Sequence, residues 1–292
     1  MPNNMTKADV YMKETLERIL NEGYLDENPR PKYADGVPAH TLSINHVVRT
    51  YDIGAGEFPI TTLRPIAIKS AIKEIFWIYQ DQSNDLAMLR NKYNVKYWNE
   101  WESQDLPGTI GIRYGEIVRR HNLVDNLLDG LKNNPFGRRH IIDLYQYTDM
   151  DESDGLNPCA FCTIWNVRVG KDGKKYLDVS LIQRSGDSMA ASCCGVNECQ
   201  YSAFLMMVAR HCGYEVGKLT HYVANEQIYD RHIDHAKEMI RRFEEAEKNG
   251  GTKQAKMTLN PAKTNFYDFT IDDFVLEDYN PIKPQLTLDL GI

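Results

Sequence analysis

The chain has 292 residues, 42% of them apolar, with a formal net charge of −7 at pH 7. That is enough apolar material for a sizeable core, in one large domain or two ordinary ones. The acidic balance argues against a general nucleic-acid binder, which needs a basic face for the phosphate backbone. The longest apolar runs, at 75–79 and 203–208, fall far short of the roughly 20 residues of a membrane span. Met1-Pro2-Asn3-Asn4-Met5 lacks the basic-then-apolar order of a secretory leader, so a cytoplasmic protein with no membrane or DNA partner is expected.

In residues 7–23, Val10, Leu16, Ile19 and Leu20 recur at helical spacing before Asn21-Glu22-Gly23, which predicts an amphipathic helix with a glycine end. Pro29, Pro31, Gly36 and Pro38 then forbid a helix, and 41–51 reads as an alternating strand. Residues 66–80 are apolar nearly all round, with Ile68, Ala71, Ile75, Phe76 and Ile78, so this helix belongs in the core and Glu74 inside it is an anomaly. Strand patterns return at 160–169 and 176–183, a second buried helix is expected at 200–212, and 244–256 reads as a polar, exposed connection. No repeat or Pro/Gly/Ser-rich linker divides the chain. A mixed α/β (α+β) protein with a single domain over 1–292 is the simplest reading.

Six cysteines (159, 162, 193, 194, 199 and 212) crowd into one stretch, unlike a disulfide framework, so reduced thiols are expected. Cys159 and Cys162 have zinc-knuckle spacing without a second pair, and the adjacent Cys193-Cys194 is poor chelate geometry. His232 and His235 lie three apart on a helix with no evident third ligand and read as a surface pair. No metal is expected.

Cys159 follows Asn157-Pro158, and 24 positions later comes Gln183-Arg184-Ser185-Gly186-Asp187. A thiol at the reference pKa is only about 3% ionised at pH 7, so a nucleophilic cysteine needs a cation or hydrogen bonds beside it, and Arg184 can supply both. Asn134-Pro135-Phe136-Gly137-Arg138-Arg139-His140 is a Gly/Pro turn leading into the strand-like 141–144, able to aim paired guanidiniums at a phosphate. Each feature alone has an ordinary reading: a buried thiol is usually a small hydrophobe, and a basic dipeptide a solvated turn.

It is their joint order that is specific. PAHTLS (38–43), TTLRP (61–65), KEIFW (73–77), YWNEW (97–101), YG (114–115), RRH (138–140), PC (158–159), QRSGD (183–187) and IYDRH (228–232) follow one another. With these motifs the chain resembles the folate-dependent thymidylate synthases along nearly its whole length. The resemblance implies that family's fold, a large mixed sheet flanked by helices, whose sheets stack across a homodimer with shared active sites. It implies reductive methylation of dUMP to dTMP, with 5,10-methylenetetrahydrofolate as cosubstrate giving both carbon and hydride.

By the same resemblance Cys159 adds to carbon 6 of the uracil ring, turning carbon 5 into a nucleophile that attacks the folate's methylene. Glu74 organises water and proton transfers at the pyrimidine, and Asn197 reads the ring nitrogen and the neighbouring carbonyl. The phosphate falls to Arg30, Arg184 and Ser185, with Arg138 and Arg139 crossing from the partner subunit. Gln183 belongs to the same nucleotide-binding motif, Gln227 and Tyr229 hold the ribose, and Asp187 the pterin edge. Trp98, Trp101 and Tyr114 form the aromatic wall between nucleotide and folate, Tyr114 also being assigned to the catalytic set. The tail ending at Ile292 closes over bound folate.

The chain departs from the family pattern in four places. Ala160 and Gln227 stand where many members carry histidine. Leu63 replaces a lysine that meets the folate's glutamate tail, a task expected to pass to Arg64 or another cation. Residues 188–196 lengthen the stretch between Asp187 and Asn197, so a reshaped folate-facing loop is expected. Two other readings share these motifs: a dUMP or dCMP hydroxymethylase of the same fold, and a nucleotide- or RNA-binding relative without catalysis. Trp98, excluding water, and Asn197, matching uracil, favour methylation.

Overall fold

The computed structural model describes residues 4–292; Met1-Pro2-Asn3, part of the stretch read as lacking a leader, lie outside them. Helix α1 (Lys7–Glu22) is capped by Thr6, whose hydroxyl accepts the Asp9 N–H at 3.1 Å, and its Met12, Leu16 and Ile19 face is fully buried. It stops at Gly23, where a Cβ would lie 2.3 Å from the Ile19 carbonyl oxygen. The short β1 (Tyr24–Leu25) and the long β2 (Thr41–Asp52) flank the proline-rich loop.

Helix α2 (Ile68–Ile75) carries Glu74. The helix expected over 66–80 begins later than expected, and from Phe76 to Gln80 it widens into a π-helix. Phe76, Trp77, Ile78 and Tyr79 are all buried within it, as an element apolar all round requires. Four helices and one strand follow: α3 (Leu86–Tyr93), α4 (Gly115–Arg120), α5 (Leu123–Asn133), β3 (Ile141–Asp143) and α6 (Tyr147–Met150). Next come β4 (Ala160–Val169), β5 (Lys175–Asp187), α7 (Val196–Cys212), β6 (Glu215–Tyr229) and α8 (Ile233–Lys248). The hairpin β7 (Lys256–Leu259) and β8 (Phe274–Glu277) precedes the tail.

Six strands form one mixed sheet in the order β1-β2-β6-β5-β4-β3. Every pair is antiparallel except β5 with β6, which α7 and the loop before it join as a crossover. Along β5, Leu177, Val179, Leu181 and Gln183 are buried and alternate with half-exposed neighbours. Helices α1 and α7 pack on the sheet. Ile164, Val167, Ile182 and Tyr222 are half-exposed on its strands, and Val48 is exposed.

Two further expectations need correction. The polar stretch 244–256 is not all connection, because α8 runs to Lys248 with Ala236, Met239 and Phe243 buried as a narrow stripe under an otherwise charged surface. The strand expected over 176–183 continues to Asp187, so Arg184, Ser185 and Asp187 lie on β5 itself. Among the described residues no helix is long and apolar enough to cross a membrane.

Candidate active site

Cys159 sits at the entrance to β4, where the register shifts between Ala160 and Cys162 and so re-aims the strand start. Its N–H donates to the Tyr114 hydroxyl at 3.2 Å, and its carbonyl accepts the Arg184 N–H at 2.9 Å. The Arg184 guanidinium folds back over the turn: Nε donates to the Pro158 carbonyl (2.9 Å), Nη2 to the Asn157 carbonyl (2.8 Å) and to Cys159 Sγ (3.4 Å). Burial pushes the thiol above its usual range, while Arg184 and then Arg30 pull it down. The cation and the hydrogen bond expected of Arg184 are both in place, and burial outweighs them. All six cysteines are free.

Tyr114 adopts φ 45° and ψ −106°, a sparsely populated conformation for a non-glycine residue. The next residue must be glycine, since a Cβ at Gly115 would lie 2.1 Å from the Ser83 carbonyl oxygen. Tyr114 meets Trp98 edge-on at 5.2 Å between ring centroids, and Trp98 meets Trp101 at 5.6 Å. The aromatic wall is therefore assembled in one chain. Trp101 lines a cavity of about 510 Å³ together with Arg30, Arg184, Glu102, Tyr145 and residues 155–157.

Glu74 is buried behind this wall and accepts a short hydrogen bond from the Tyr97 hydroxyl. Burial raises its carboxyl to about 6, even though Tyr97, Trp98 and Gln200 pull the other way. On α7, the Asn197 side chain accepts from Gln183 Nε2 at 3.2 Å and donates to Gln200 Oε1 at 3.1 Å. Ser185 and Asp187 pair along β5 with Asn225 and Gln227 on β6.

Asp187 ends β5, accepting the N–H groups of Met189 (2.9 Å) and Ala190 (3.1 Å). Burial raises its carboxyl, with His232 and Arg64 among the groups opposing the shift. Tyr229 is pushed up to about 12 by burial, with Asp187, Cys159 and Arg30 close enough to act on it. Gln227 lines a second cavity of about 410 Å³, beside Thr41, Ser43 and Asn225.

Ile292 pairs by backbone with Lys32, accepting at 2.8 Å and donating at 2.9 Å, so the tail lies against the loop that carries Arg30. Arg138 and Arg139 are exposed before β3 at the sheet edge and do not line the 510 Å³ cavity.

Two expectations are overturned here. Arg64 is not free to meet a folate tail: it is buried, and its Nη2 donates to the Met189 and Ala190 carbonyls. His232 and His235 are not a surface pair, since His232 is buried edge-on to Tyr229 at 5.7 Å. The lengthened loop after Asp187 turns into the core. Ser188 Oγ (2.9 Å) and Ser192 Oγ (2.5 Å) donate to Glu226, the Cys194 N–H donates to Glu198 at 2.7 Å, and Cys193 and Cys194 are buried. Tyr97, Tyr145, Gln200 and His221 were not assigned from sequence. Only Tyr97, inside YWNEW, carried a signal that could have found it.

A family model described as thymidylate synthase matches residues 10–290. The chain belongs to the thymidylate synthase family. A thymidylate synthase of Streptococcus pneumoniae (strain 70585) is 50% identical over 289 residues, covering 99% of this chain and 100% of the relative. One from Lactococcus lactis subsp. lactis (strain IL1403) is 49% identical with the same coverage. The solved structure of the thermostable thymidylate synthase A from Bacillus subtilis superposes with a TM-score of 0.86 at 35% identity, covering 98% of this chain and 100% of that one. The mixed sheet flanked by helices is thus the thymidylate synthase fold.

Proposed function

We propose that this chain, as a single domain, catalyses the reductive methylation of dUMP to dTMP. The observation that carries the reading is Cys159 Sγ held 3.4 Å from Arg184 beside a cavity that Arg30 also lines. A phosphate bound by Arg30, Arg184 and Ser185 brings the pyrimidine to the thiol, and the dUMP dianion competes for the guanidinium that now folds over the turn. Cys159 adds as thiolate to carbon 6, which makes carbon 5 nucleophilic. Asn197, supported by Gln183, reads the base; Glu74, poised near 6, moves protons at the ring; and Gln227 and Tyr229 bind the ribose. Tyr114 holds the Cys159 backbone in place through its hydroxyl.

The edge-to-face rings of Trp98 and Trp101 and the Asp187 side chain fit a heteroaromatic donor. Bound there, 5,10-methylenetetrahydrofolate supplies the one-carbon unit and the hydride. Ile292, already paired with the Arg30 loop, closes over it and excludes water.

The half-exposed apolar residues of the sheet support a homodimer, and the exposure of Arg138 and Arg139, which do not line their own chain's 510 Å³ cavity, supports their use in the partner's site. Dihydrofolate formation with dUMP, followed by absorbance, tests the reaction: a hydroxymethylase leaves tetrahydrofolate, and a binder leaves the methylene donor unchanged. Mixing a Cys159→Ser protein with an Arg138→Ala/Arg139→Ala protein tests the shared site. Restored activity after subunit exchange is expected, and none would place each site within one chain.

A further inference from the structure

Two backbone carbonyls and one carboxylate decide the orientation of every polar group behind the Asn197 amide. The Ser185 carbonyl can only accept, and at 2.9 Å it fixes the near end of Gln183 as its amide nitrogen. Gln183 Oε1 is thereby turned to His221 Nε2 at 3.0 Å, and His221 Nδ1 faces Glu198 Oε1 at 2.9 Å, so both ring nitrogens meet acceptors. Arg49 holds Glu198 at 2.6 Å and Glu226 at 3.0 Å, and all four of these side chains are 1% exposed or less. On the other side, the Ala71 carbonyl accepts from Gln200 Nε2 at 3.2 Å, which leaves Gln200 Oε1 to accept from Asn197 Nδ2. The second proton of Gln183 Nε2 then meets Asn197 Oδ1.

A flipped Asn197 amide would set its nitrogen against the Gln183 nitrogen and its oxygen against the Gln200 oxygen, replacing two hydrogen bonds with two repulsions. One hydrogen on Nδ2 and one lone pair on Oδ1 stay free. Uracil meets that fixed pair with a carbonyl and an N–H, whereas cytosine presents an amino group and an unprotonated nitrogen.

We propose that His221 and Gln200 are positioning residues that lock the Asn197 amide in the one orientation that matches uracil and mismatches cytosine. His221 acts through Gln183, with its own charge environment set by Glu198 and Arg49 beneath the sheet. Gln200 acts directly and is oriented by the Ala71 carbonyl. The inference rests on the reading of this site as a dUMP methyltransferase.

The test compares dissociation constants for dUMP and dCMP by titration calorimetry in the wild-type protein and three variants. A glutamine at 221 places its amide nitrogen near the position of Nε2 and keeps the donor to Gln183. An asparagine places it near Nδ1 and keeps only the partner of Glu198. The preference for dUMP is expected to stay near wild type in His221→Gln and to fall roughly tenfold or more in His221→Asn and Gln200→Met, the effect of an amide left free to flip. The reverse ranking of the histidine variants, or an unchanged preference in all three, overturns the lock. Should a histidine variant not fold, as judged by thermal unfolding, Gln200→Met decides alone. Turnover of dUMP by the wild-type protein is measured separately, and its absence would sink the methyltransferase reading rather than the lock.

Discussion

Arg49 and Arg231 use the same guanidinium in opposite ways. Arg49 lies beneath the sheet between Glu198 and Glu226, with its Nη2 also reaching the Ser192 carbonyl at 3.3 Å. Arg231 lies at the surface, stacked 3.8 Å over the Tyr33 ring, and joins Asp35 of the Arg30 loop (2.6 Å) to Asp289 of the tail (3.2 Å). Removing one partner from a buried, fully bonded set costs about 3–5 kcal/mol. Exposed pairs contribute little and are screened by salt. The buried frame behind Asn197 is thus built from contacts that do not open readily, and the link between the Arg30 loop and the tail from contacts that do.

The largest break is expected on the buried side, at the thiol. Cys159→Ser should lower turnover by at least ~1,000-fold, because the covalent route itself is lost, while dUMP affinity stays within about tenfold. Turnover above a few per cent of wild type would remove Cys159 from the mechanism.

Next comes Glu74→Gln, with turnover expected to fall ~100-fold or more. Burial raises the folded carboxyl from 4.5 to about 6, so the folded chain binds this proton more tightly than the unfolded one. Its contribution to stability is fully present below 4.5 and is lost as pH rises through about 6, roughly 2 kcal/mol in all. The variant should lack that slope in melting temperature against pH; an identical slope would assign it to another group.

Effects in the closing segments should be smaller. Deleting Ile292 removes two backbone hydrogen bonds to Lys32, each worth about 1 kcal/mol, and should slow dTMP formation roughly tenfold with nucleotide affinity nearly unchanged. Equal losses in both would mean that the tail orders the nucleotide site as well. Arg231→Ala should cost roughly two- to fivefold in turnover, an effect that fades at high salt. A loss that persists in molar salt would show that stacking on Tyr33, not charge, holds the latch.

Periodicity made α1, β2 and β4 legible, and one discordant residue, Glu74, pointed into the site from an otherwise apolar helix. Family motifs placed Cys159, Arg184 and the aromatic wall, which the structure brings together. Strand β6 escaped because its inward positions include His221 and Glu226, polar residues buried only because Arg49 and Glu198 complete their bonds. Those partners come from β2 and α7, so no local window contains the reason. Arg64 misled for a related cause: a cation beside an expected folate contact reads as outward-facing, yet the carbonyls of the lengthened loop receive it inside. Gln200 and His221 orient a neighbour without touching the cavity, and nothing in their spacing marks that.

The single parallel pairing, β5 with β6, also sets an order of events when the chain folds. Arg184, Asp187, Asn197, Gln227 and Tyr229 all lie on the two strands and the helix that crosses between them. A parallel pair cannot be nucleated by a tight turn, and the entropy of closing the long connection must be met before its contacts form. Hairpin pairings such as β4 with β5 can form earlier, leaving a chain with native helix and strand signals but no nucleotide site. Recovery of dUMP binding during refolding therefore lags recovery of secondary structure, and binding, rather than ellipticity, marks the native state.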